Sequence, residues 1–333
     1  MHKMSNLEFF FIAKELSGSL AGKHFSRIRK LGDGIYRMKI GTLEILAESG
    51  VRIHATKYIE TSDETDKFVE KLNKELDNGR LIFVEQLNQD RIVSFNFDKG
   101  QLVFEMFGGG NVILVQGGTT VCAQKYESWS DREIKAGSPY SPPKNVPSAL
   151  LEVSEKYIIV SLMKLPLGKE YALEALRRAG IDEKLPGSSL SGNRILSLER
   201  EISLIRENAA PYGFFDNGRL VDFSLTRLSA YSGLETRSFQ TLSEAADEYY
   251  HSYEKPNPLL EKLTERLSKQ KERIAALETE EKDHRAKGDM IYQHYQLAEE
   301  ILSMAKAGKF PEIEARFAAR IDKKEKSIEL DLQ

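Results

Sequence analysis

The stretch VEQLNQDRIVSFNF, residues 84–97, predicts two β-strands joined by a polar turn at Asn88-Gln89. The second strand opens on an adjacent acid and base, Asp90 and Arg91. By the two-residue period of a strand, Arg91 shares a face with the apolar residues that follow it. Because a guanidinium on an apolar face is costly unless a partner receives it, the role of this pair becomes the first question about the chain.

Short alternating runs extend on both sides of this stretch and predict a mainly antiparallel β domain over residues 1–146. Glycine-containing turns separate the runs, and glycine supplies the positive φ angles that tight reversals need. Two helices interrupt the strands, at residues 5–20 and at about residues 64–77. The first helix begins with Ser5 and Glu8 at the spacing of a capping box.

The segment SPYSPPKNVP, residues 138–147, breaks both periodicities and predicts a domain boundary. A helical block is expected over residues 147–208, followed by a connecting hairpin and helix over residues 209–255.

Within the helical block, LPLGKEYALEALRRAGI (165–181) resembles a helix-hairpin-helix, whose turn points backbone N–H groups at a nucleic-acid phosphate. Gly168 and Lys169 are its candidate contacts. Leu167 stands where the usual signature has glycine, so a purely structural hairpin remains an open alternative.

From residue 256 onward, apolar residues follow a 3-4 spacing that predicts a coiled-coil arm over residues 256–308, with residues 309–333 starting the next segment. The seam weakens at Glu281, His284 and Gly288, which predicts a local irregularity there. A one-sided seam needs a partner helix, either from an arm outside this chain or from another copy. The final run SIELDL is strand-like and has no predicted pairing partner.

Composition narrows the setting to a globular protein of 333 residues, 41% hydrophobic and 30% charged. The single cysteine, Cys122, excludes an intramolecular disulfide and a multi-cysteine zinc site. No apolar run approaches the ~18 residues of a membrane span, and the opening residues lack a signal-peptide pattern. We therefore expect a cytoplasmic location, no membrane, no metal and no cofactor.

A basic cluster lies between residues 21 and 40, where six basic side chains stand against one acid, Asp33. The net charge of −3 gives no overall sign of nucleic-acid binding, so such a function would rest on a local patch of this kind. Two interpretations stay open, a solvated sheet face and a phosphate-binding surface. The candidate phosphate contacts of the cluster are Lys23, Arg27, Arg29, Lys30, Arg37 and Lys39.

The order of motifs along the chain resembles the NFACT family over essentially its whole length. The motifs are RIHAT, LNKEL, GRLIFVEQLNQDRIVSFNF, GGGNVILV, a proline-rich exit, the helical block and a coil containing AKGDMIYQHYQLAEEIL. The resemblance implies an α+β fold in which the β-rich N-terminal domain is similar to that of formamidopyrimidine-DNA glycosylases. It also implies a two-armed coil and a further RNA-binding domain, so we expect this chain to be an N-terminal fragment.

Members of this family are ribosome-associated quality-control factors, some of them historically called fibronectin-binding proteins. The resemblance implies a non-enzymatic factor that binds obstructed large ribosomal subunits carrying a nascent chain and recruits tRNA for C-terminal tailing. Asp90 and Arg91 match the family's tRNA-engaging pair. Arg52, in RIHAT, and Lys74 complete the predicted phosphate contacts, although Leu72-Asn73-Lys74 lacks the arginine of the family's Leu-Arg-Lys segment.

Three other interpretations remain open. A DNA glycosylase would use an N-terminal proline as nucleophile, but the chain begins Met1-His2-Lys3-Met4 and lacks zinc-finger cysteines. A surface adhesin would need a secretion signal, which the opening residues do not resemble. Finally, Asp90 and Arg91 would have only a structural role if their ion pair pinned the hairpin. No catalytic constellation of residues stands out, and Gly108-Gly109-Gly110 predicts a turn, since a strand follows in place of a phosphate-loop helix.

Overall fold

The computed structural model describes residues 1–59, 66–144, 147–148, 151–153, 156–253, 258–322, 325 and 327–330. The chain forms two compact units, Met1–Glu254 and Lys255–Gln333.

The first unit begins with helix α1, Asn6–Leu20, as the capping-box spacing predicts. Ser5 Oγ accepts a hydrogen bond from the Glu8 backbone N–H at 3.3 Å, and Glu8 Oε2 accepts from the Ser5 N–H at 2.6 Å. These bonds satisfy two of the N–H groups that a helix start leaves without intrahelical partners. The buried face of α1 consists of Leu7, Phe9, Ile12, Ala13, Leu16 and Leu20.

The predicted antiparallel β domain is confirmed. Among the described residues, one sheet has four strands in the order β1-β2-β3-β4, which are Phe25–Gly32, Ile35–Ile40, Leu43–Glu48 and Arg52–Thr56. Helix α2 follows, at Lys67–Leu76. A second sheet has five described strands in the order β5 to β9, which are Leu81–Gln86, Ile92–Phe97, Gly100–Glu105, Asn111–Gln116 and Thr119–Ala123.

Strand β6 lies inside the second sheet, and all six of its residues are buried. Val93 and Phe95 belong to the main core with α1 and the first sheet, while Ile92 belongs to a smaller cluster on the other face with Ile113 and Ile134. Because both faces are covered, a charged pair fits only at the end of this strand.

The remainder of the first unit adds short strands and helices around the same core, which also contains Tyr171, Leu198 and Phe223. The strands are β10 to β14, at Glu127–Ser128, Glu133–Ile134, Tyr212–Asp216, Arg219–Ser224 and Glu235–Ser238. The helices are α3 to α6, at Ile158–Leu162, Lys169–Arg178, Gly192–Glu207 and Leu242–Ser252. The predicted subdivision of this unit into three domains stays a prediction.

The second unit begins with α7, Pro258–Gln293, which passes through Glu281, His284 and Gly288 without a break. The predicted irregularity at these residues is therefore wrong. One glycine inside a helix costs about 1 kcal/mol, which a helix of this length tolerates. The interruption lies at His294, whose φ of −106° and ψ of 19° separate α7 from the next helix.

Beyond His294, helices α8 (Tyr295–Lys306) and α9 (Phe310–Phe317) pack around Ile301 and Ile313. The SIELDL strand does have a partner, contrary to the sequence prediction. Strand β15, Arg320–Asp322, pairs antiparallel with β16, Ser327–Glu329. Across the described residues, no helix combines the length and the apolar character needed to cross a membrane.

Candidate nucleic-acid interface

A cleft of ≈ 680 Å³ lies between the start of α1, the turn from β5 to β6 and the turn that precedes α4. Asp90 and Arg91 line it together with Gly168 and Lys169. The sequence suggested these two pairs separately, as a strand-start pair and a helix-hairpin-helix turn. The fold therefore places the predicted tRNA-binding pair and the predicted phosphate-binding turn in one site.

The turn that carries Asp90 is fastened to the start of α1. The side-chain amide of Asn6 donates to the carbonyl oxygen of Gln89 at 3.1 Å, and Gln86 Nε2 donates to the Asn6 carbonyl oxygen at 2.7 Å. Asn88 and Gln89 have positive φ angles of 55° and 54°, which turn the chain sharply enough to reach α1. The strand-start pair is thus held at the cleft by backbone contacts.

Asp90 and Arg91 are half-buried at the end of the covered strand β6. Asp90 Oδ1 accepts from the backbone N–H of Arg91 at 2.7 Å, so this hydrogen bond fixes the main chain of Arg91 and does not involve its guanidinium. This geometry answers the opening question, because both charged groups lie at the cleft wall and avoid the apolar faces of the sheet.

The turn before α4 requires glycine at position 168. Gly168 has a φ of 108°, and a Cβ built there would lie 2.4 Å from the Cβ of Ser5. Leu167, which replaces the glycine of the usual signature, is fully buried in the core, and its carbonyl oxygen accepts from the Leu7 N–H at 3.3 Å. Gly168 is the N-cap of α4 and offers no side-chain cap. The first N–H groups of α4 are therefore available at the cleft.

The described charges of the cleft wall favour an anion. Four cationic side chains, of Lys3, Arg91, Lys164 and Lys169, line the cleft with two acids, Asp90 and Glu170. The starts of both α1 and α4 also lie there, and each carries the partial positive charge of a helix N-terminus. Sequence reasoning missed Lys3 and Lys164, although Lys164 precedes the Leu-Pro-Leu-Gly turn and could have been noticed for that reason.

The predicted basic surface of the first sheet is present in register but only partly open. Pairing of Arg27 with Lys39 and of Arg29 with Arg37 places these four residues on one face, as the alternation predicts. Arg52 shares this face through its pairing with Glu48. Arg27 is exposed, Arg29 is half-buried, and the side chain of Lys39 is 37% exposed.

Arg37 and Arg52 correct the expectation that every cation of this face is accessible. The Arg37 side chain is only 3% exposed, and its Nε lies 3.4 Å from Glu44 Oε2. Arg52 Nε donates to Glu48 Oε2 at 3.0 Å, and its guanidinium lies 4.1 Å from the ring centroid of Tyr250. Helix α6 packs on β4 and covers this end of the sheet.

The other predicted contacts lie elsewhere. Lys30 pairs across β1 and β2 with the buried Tyr36, on the opposite face, and its Nζ is 3.5 Å from Asp66 Oδ2. Lys23 and Lys74 are exposed, the latter on α2. None of the eight predicted phosphate contacts is among the described residues that line the cleft.

Asn73, which replaces the arginine of the family segment, has a structural role. Its Oδ1 accepts from the Ile28 N–H at 2.8 Å, and its Nδ2 donates to the Ile28 carbonyl oxygen at 2.9 Å. These two bonds tie α2 to strand β1. An amide has one acceptor and one donor group in the positions needed for this arrangement, whereas an arginine has donors only.

A buried charge cluster supports the cleft next to Lys3. His2 lies between two carboxylates, with Nδ1 2.7 Å from Asp222 Oδ1 and Nε2 3.1 Å from Glu8 Oε2. Burial alone would lower the pKa of His2, but Glu8 and Asp222 raise it to about 10. Burial would likewise raise the pKa of Glu8, yet the charge of His2 and hydrogen bonds from His2, Ser5 and Tyr171 hold it below its usual value.

No group of three or more His, Cys, Asp or Glu side chains in the described parts of the chain is placed to hold a metal ion. The residues of the cleft offer hydrogen-bond donors and fixed charges, and these are the groups that contact phosphates, riboses and base edges.

Two kinds of known proteins are similar to this chain. The archaeal Rqc2 homolog aRqcH of Methanocaldococcus jannaschii is 31% identical over 272 residues, which cover 71% of this chain and 40% of the relative. Ribosome quality control complex subunit 2 of Schizosaccharomyces pombe is 33% identical over 129 residues, which cover 34% of this chain and 13% of the relative. The chain thus spans less than half of the length of these relatives.

A solved structure of the N-terminal part of the fibronectin/fibrinogen-binding protein from Streptococcus suis has a similar fold. Its TM-score is 0.57 at 20% identity, covering 74% of this chain and 99% of that one. Residues 10–333 match the family model described as the NFACT N-terminal and middle domains. The order of sequence motifs, the antiparallel sheets and this match agree, and the chain belongs to the NFACT family.

Proposed function

We propose that this protein is an RNA-binding factor of ribosome quality control, and that its cleft binds tRNA. The observation that carries the proposal is the meeting of Asp90 and Arg91 with the N-terminus of α4 in one cationic cleft. A phosphate is attracted to such a site by helix N–H groups and by the surrounding Lys and Arg side chains.

The two members of the Asp-Arg pair have different roles in this proposal. The planar guanidinium of Arg91 contacts a phosphate or the edge of a base with two parallel hydrogen bonds. Asp90, whose Oδ1 holds the Arg91 backbone, retains acceptor capacity for a ribose hydroxyl or a base amine. A 2′-hydroxyl contact of this kind would favour RNA over DNA.

The wider role rests on the relatives, whose names associate them with ribosome quality control. In this proposal the full-length protein binds large ribosomal subunits obstructed by a nascent chain and recruits tRNA for C-terminal tailing. The ribosome performs the peptide-bond chemistry, so the protein itself is not an enzyme. It works in the cytoplasm, and its coil contacts the subunit or a further helical arm.

A glycosylase function receives no support from the start of the chain. His2 occupies the position at which such enzymes carry their proline nucleophile, and it is buried with both ring nitrogens bonded to carboxylates. A buried imidazolium has no free lone pair with which to attack a substrate.

The proposal is tested by co-sedimentation of the full-length protein with separated ribosomal subunits, followed by sequencing of the RNA that stays bound. We expect the protein in the large-subunit fraction, with tRNA enriched beside ribosomal RNA. Binding to both subunits alike, or tRNA at background level, would contradict the proposal.

A further inference from the structure

A second cleft, of ≈ 660 Å³, lies between the turn from β7 to β8 and the short hairpin of β10 and β11. Trp129, at the tip of that hairpin, lines the cleft and is 43% exposed. A large aromatic side chain that remains this exposed beside a concave surface is a frequent feature of binding sites.

The indole of Trp129 rests on a rigid support. The guanidinium carbon of Arg132 lies 4.4 Å from the Trp129 ring and 5.9 Å from the Phe107 ring. The Arg132 side chain is only 6% exposed, and its Nη1 and Nη2 each donate to Glu105 at 2.7 Å. Tyr140 adds a donated hydrogen bond to Glu105 at 3.0 Å. The arginine is thereby fixed under one face of the indole.

The hairpin is held in the same position by its backbone, because the Trp129 N–H donates to the Arg132 carbonyl oxygen at 2.9 Å. With one face of the indole on Arg132, the exposed fraction is left to contact a ligand. A flat, pre-positioned aromatic ring of this kind is how many proteins bind an unpaired base, because every base has a π-face for stacking.

The surrounding charges suggest which bases fit. Glu127 and Asp131 line the same cleft, and ionised carboxylates only accept hydrogen bonds. They would pair with the exocyclic amino groups of adenine, cytosine or guanine, whereas uracil has none. Lys144, exposed at the edge of the cleft, is placed to contact a neighbouring phosphate.

We propose that the cleft at Trp129 is a stacking site for an unpaired RNA base that carries an exocyclic amino group. The inference deepens the RNA-binding role proposed above and rests on it. The site differs in residues from the cleft at Asp90 and Arg91, but the Met106 N–H joins the two regions by donating to the Arg91 carbonyl oxygen at 2.7 Å.

Trp129 is the single tryptophan of the chain, so its fluorescence reports on this site directly. In a titration with single-stranded hexaadenylate we expect saturable quenching, and weaker binding of hexauridylate. Unchanged fluorescence at saturating RNA would overturn the proposal. Equal affinity for the two oligomers would overturn the selectivity for amino-bearing bases.

Two variants of Trp129 separate stacking from simple apolar contact. With dye-labelled hexaadenylate, Trp129→Phe should bind within about 3-fold of the unmodified protein, while Trp129→Leu should bind at least about 5-fold more weakly, since one stacked base contributes roughly this much or more. If the Trp129→Leu variant binds as tightly as the unmodified protein and keeps an unchanged unfolding transition, the proposal is overturned.

The two proposals fail in different ways. If the Asp90→Ala/Arg91→Ala variant still binds tRNA while hexaadenylate quenches Trp129, the role of the first cleft is contradicted and the stacking site stands. If tRNA binding depends on Asp90 and Arg91 but no RNA quenches Trp129, only the stacking site is contradicted.

Discussion

The backbone N–H of Met106 donates a hydrogen bond to the carbonyl oxygen of Arg91 at 2.7 Å. This bond continues the β6–β7 ladder by one residue beyond the strand and fixes the main chain of Arg91. The side chain of Arg91 is therefore carried by a rigid backbone at the cleft wall. Such placement reduces the entropy lost when a guanidinium binds a phosphate.

Replacing both Asp90 and Arg91 by Ala should abolish tRNA binding with little effect on folding. The change removes one hydrogen bond between the Asp90 side chain and the backbone, which contributes about 0.5–1.5 kcal/mol, and leaves the Met106 bond in place. Filter binding of tRNA and urea unfolding measure the two effects.

A matched control for this variant is Asp98→Ala/Lys99→Ala. It changes an acid and a base in the next turn, where Asp98 likewise accepts from a backbone N–H, that of Arg80. The control should bind tRNA normally. If the Asp90/Arg91 variant loses several kcal/mol of stability, the pair is structural and its assignment to tRNA is wrong.

Gly168→Ala should destabilise the protein by about 1–3 kcal/mol and weaken tRNA binding, because a Cβ at this positive φ would press on Ser5 and displace the start of α4. Gly180→Ala is the control, since Gly180 also has a positive φ but no atom lies within 4 Å of the position that its Cβ would take. Thermal unfolding and tRNA affinity should separate the two variants. Equal effects would show that the contact with Ser5 is unimportant.

Arg37→Glu should cost about 3–5 kcal/mol, because it leaves Glu44 without its buried partner and adds a second acid beside it. Arg27→Glu, on the exposed part of the same sheet face, should change the unfolding free energy by less than about 0.5 kcal/mol. Denaturant unfolding compares the variants. A stable, fully folded Arg37→Glu protein would contradict the burial of this residue.

The open cations of that face permit a separate binding test. If Arg27 and Lys39 contact phosphates, reversing both charges should lower the slope of log K against log salt by about 0.9 for each duplex phosphate lost. An unchanged slope would exclude this face from the RNA site and leave the cleft as the main surface.

His2 should make stability depend on pH in the neutral to alkaline range. Its folded-state pKa is raised to about 10, above the unfolded value of 6.5, so its stabilising effect is complete below pH 6.5 and is lost as the pH rises towards 10. The groups that face it are Glu8, Asp222 and the Tyr249 hydroxyl. The difference in unfolding free energy between the unmodified protein and His2→Gln should therefore shrink across this range.

Unfolding in urea at several pH values between 6 and 10 measures that difference. The exposed His251→Gln is the control and should leave the pH profile unchanged. A gap between the unmodified protein and His2→Gln that stays constant up to pH 10 would contradict a charged His2 between two carboxylates.

The coil should self-associate through its apolar seam when no other helix covers it. Leu267, Ile274 and Leu277 are exposed on α7 and belong to the 3-4 pattern. In sedimentation velocity we expect a concentration-dependent dimer, which Leu267→Glu/Ile274→Glu removes and Lys271→Glu, off the seam, retains. A monomer at high protein concentration would contradict the expectation.

The sequence by itself determined the elements that local rules control. Capping at Ser5, the alternation in GIYRMKI and the Asn217-Gly218 turn all predict structure that is present, because they depend on residues only a few positions apart. The pairing of SIELDL escaped this reasoning, since its partner strand is too short to show a period.

Tertiary structure alone decided which of these local features meet. Arg37 lies on the predicted face, yet the parity of a strand carries no information about what covers that face. Likewise, no local rule relates Arg91 to Gly168, which are brought into one cleft because the start of α1 contacts both turns. The burial of His2 between Glu8 and Asp222 has the same origin, since 220 residues separate His2 from Asp222. Periodicity describes the residues of one element, whereas a site is formed by the packing of several.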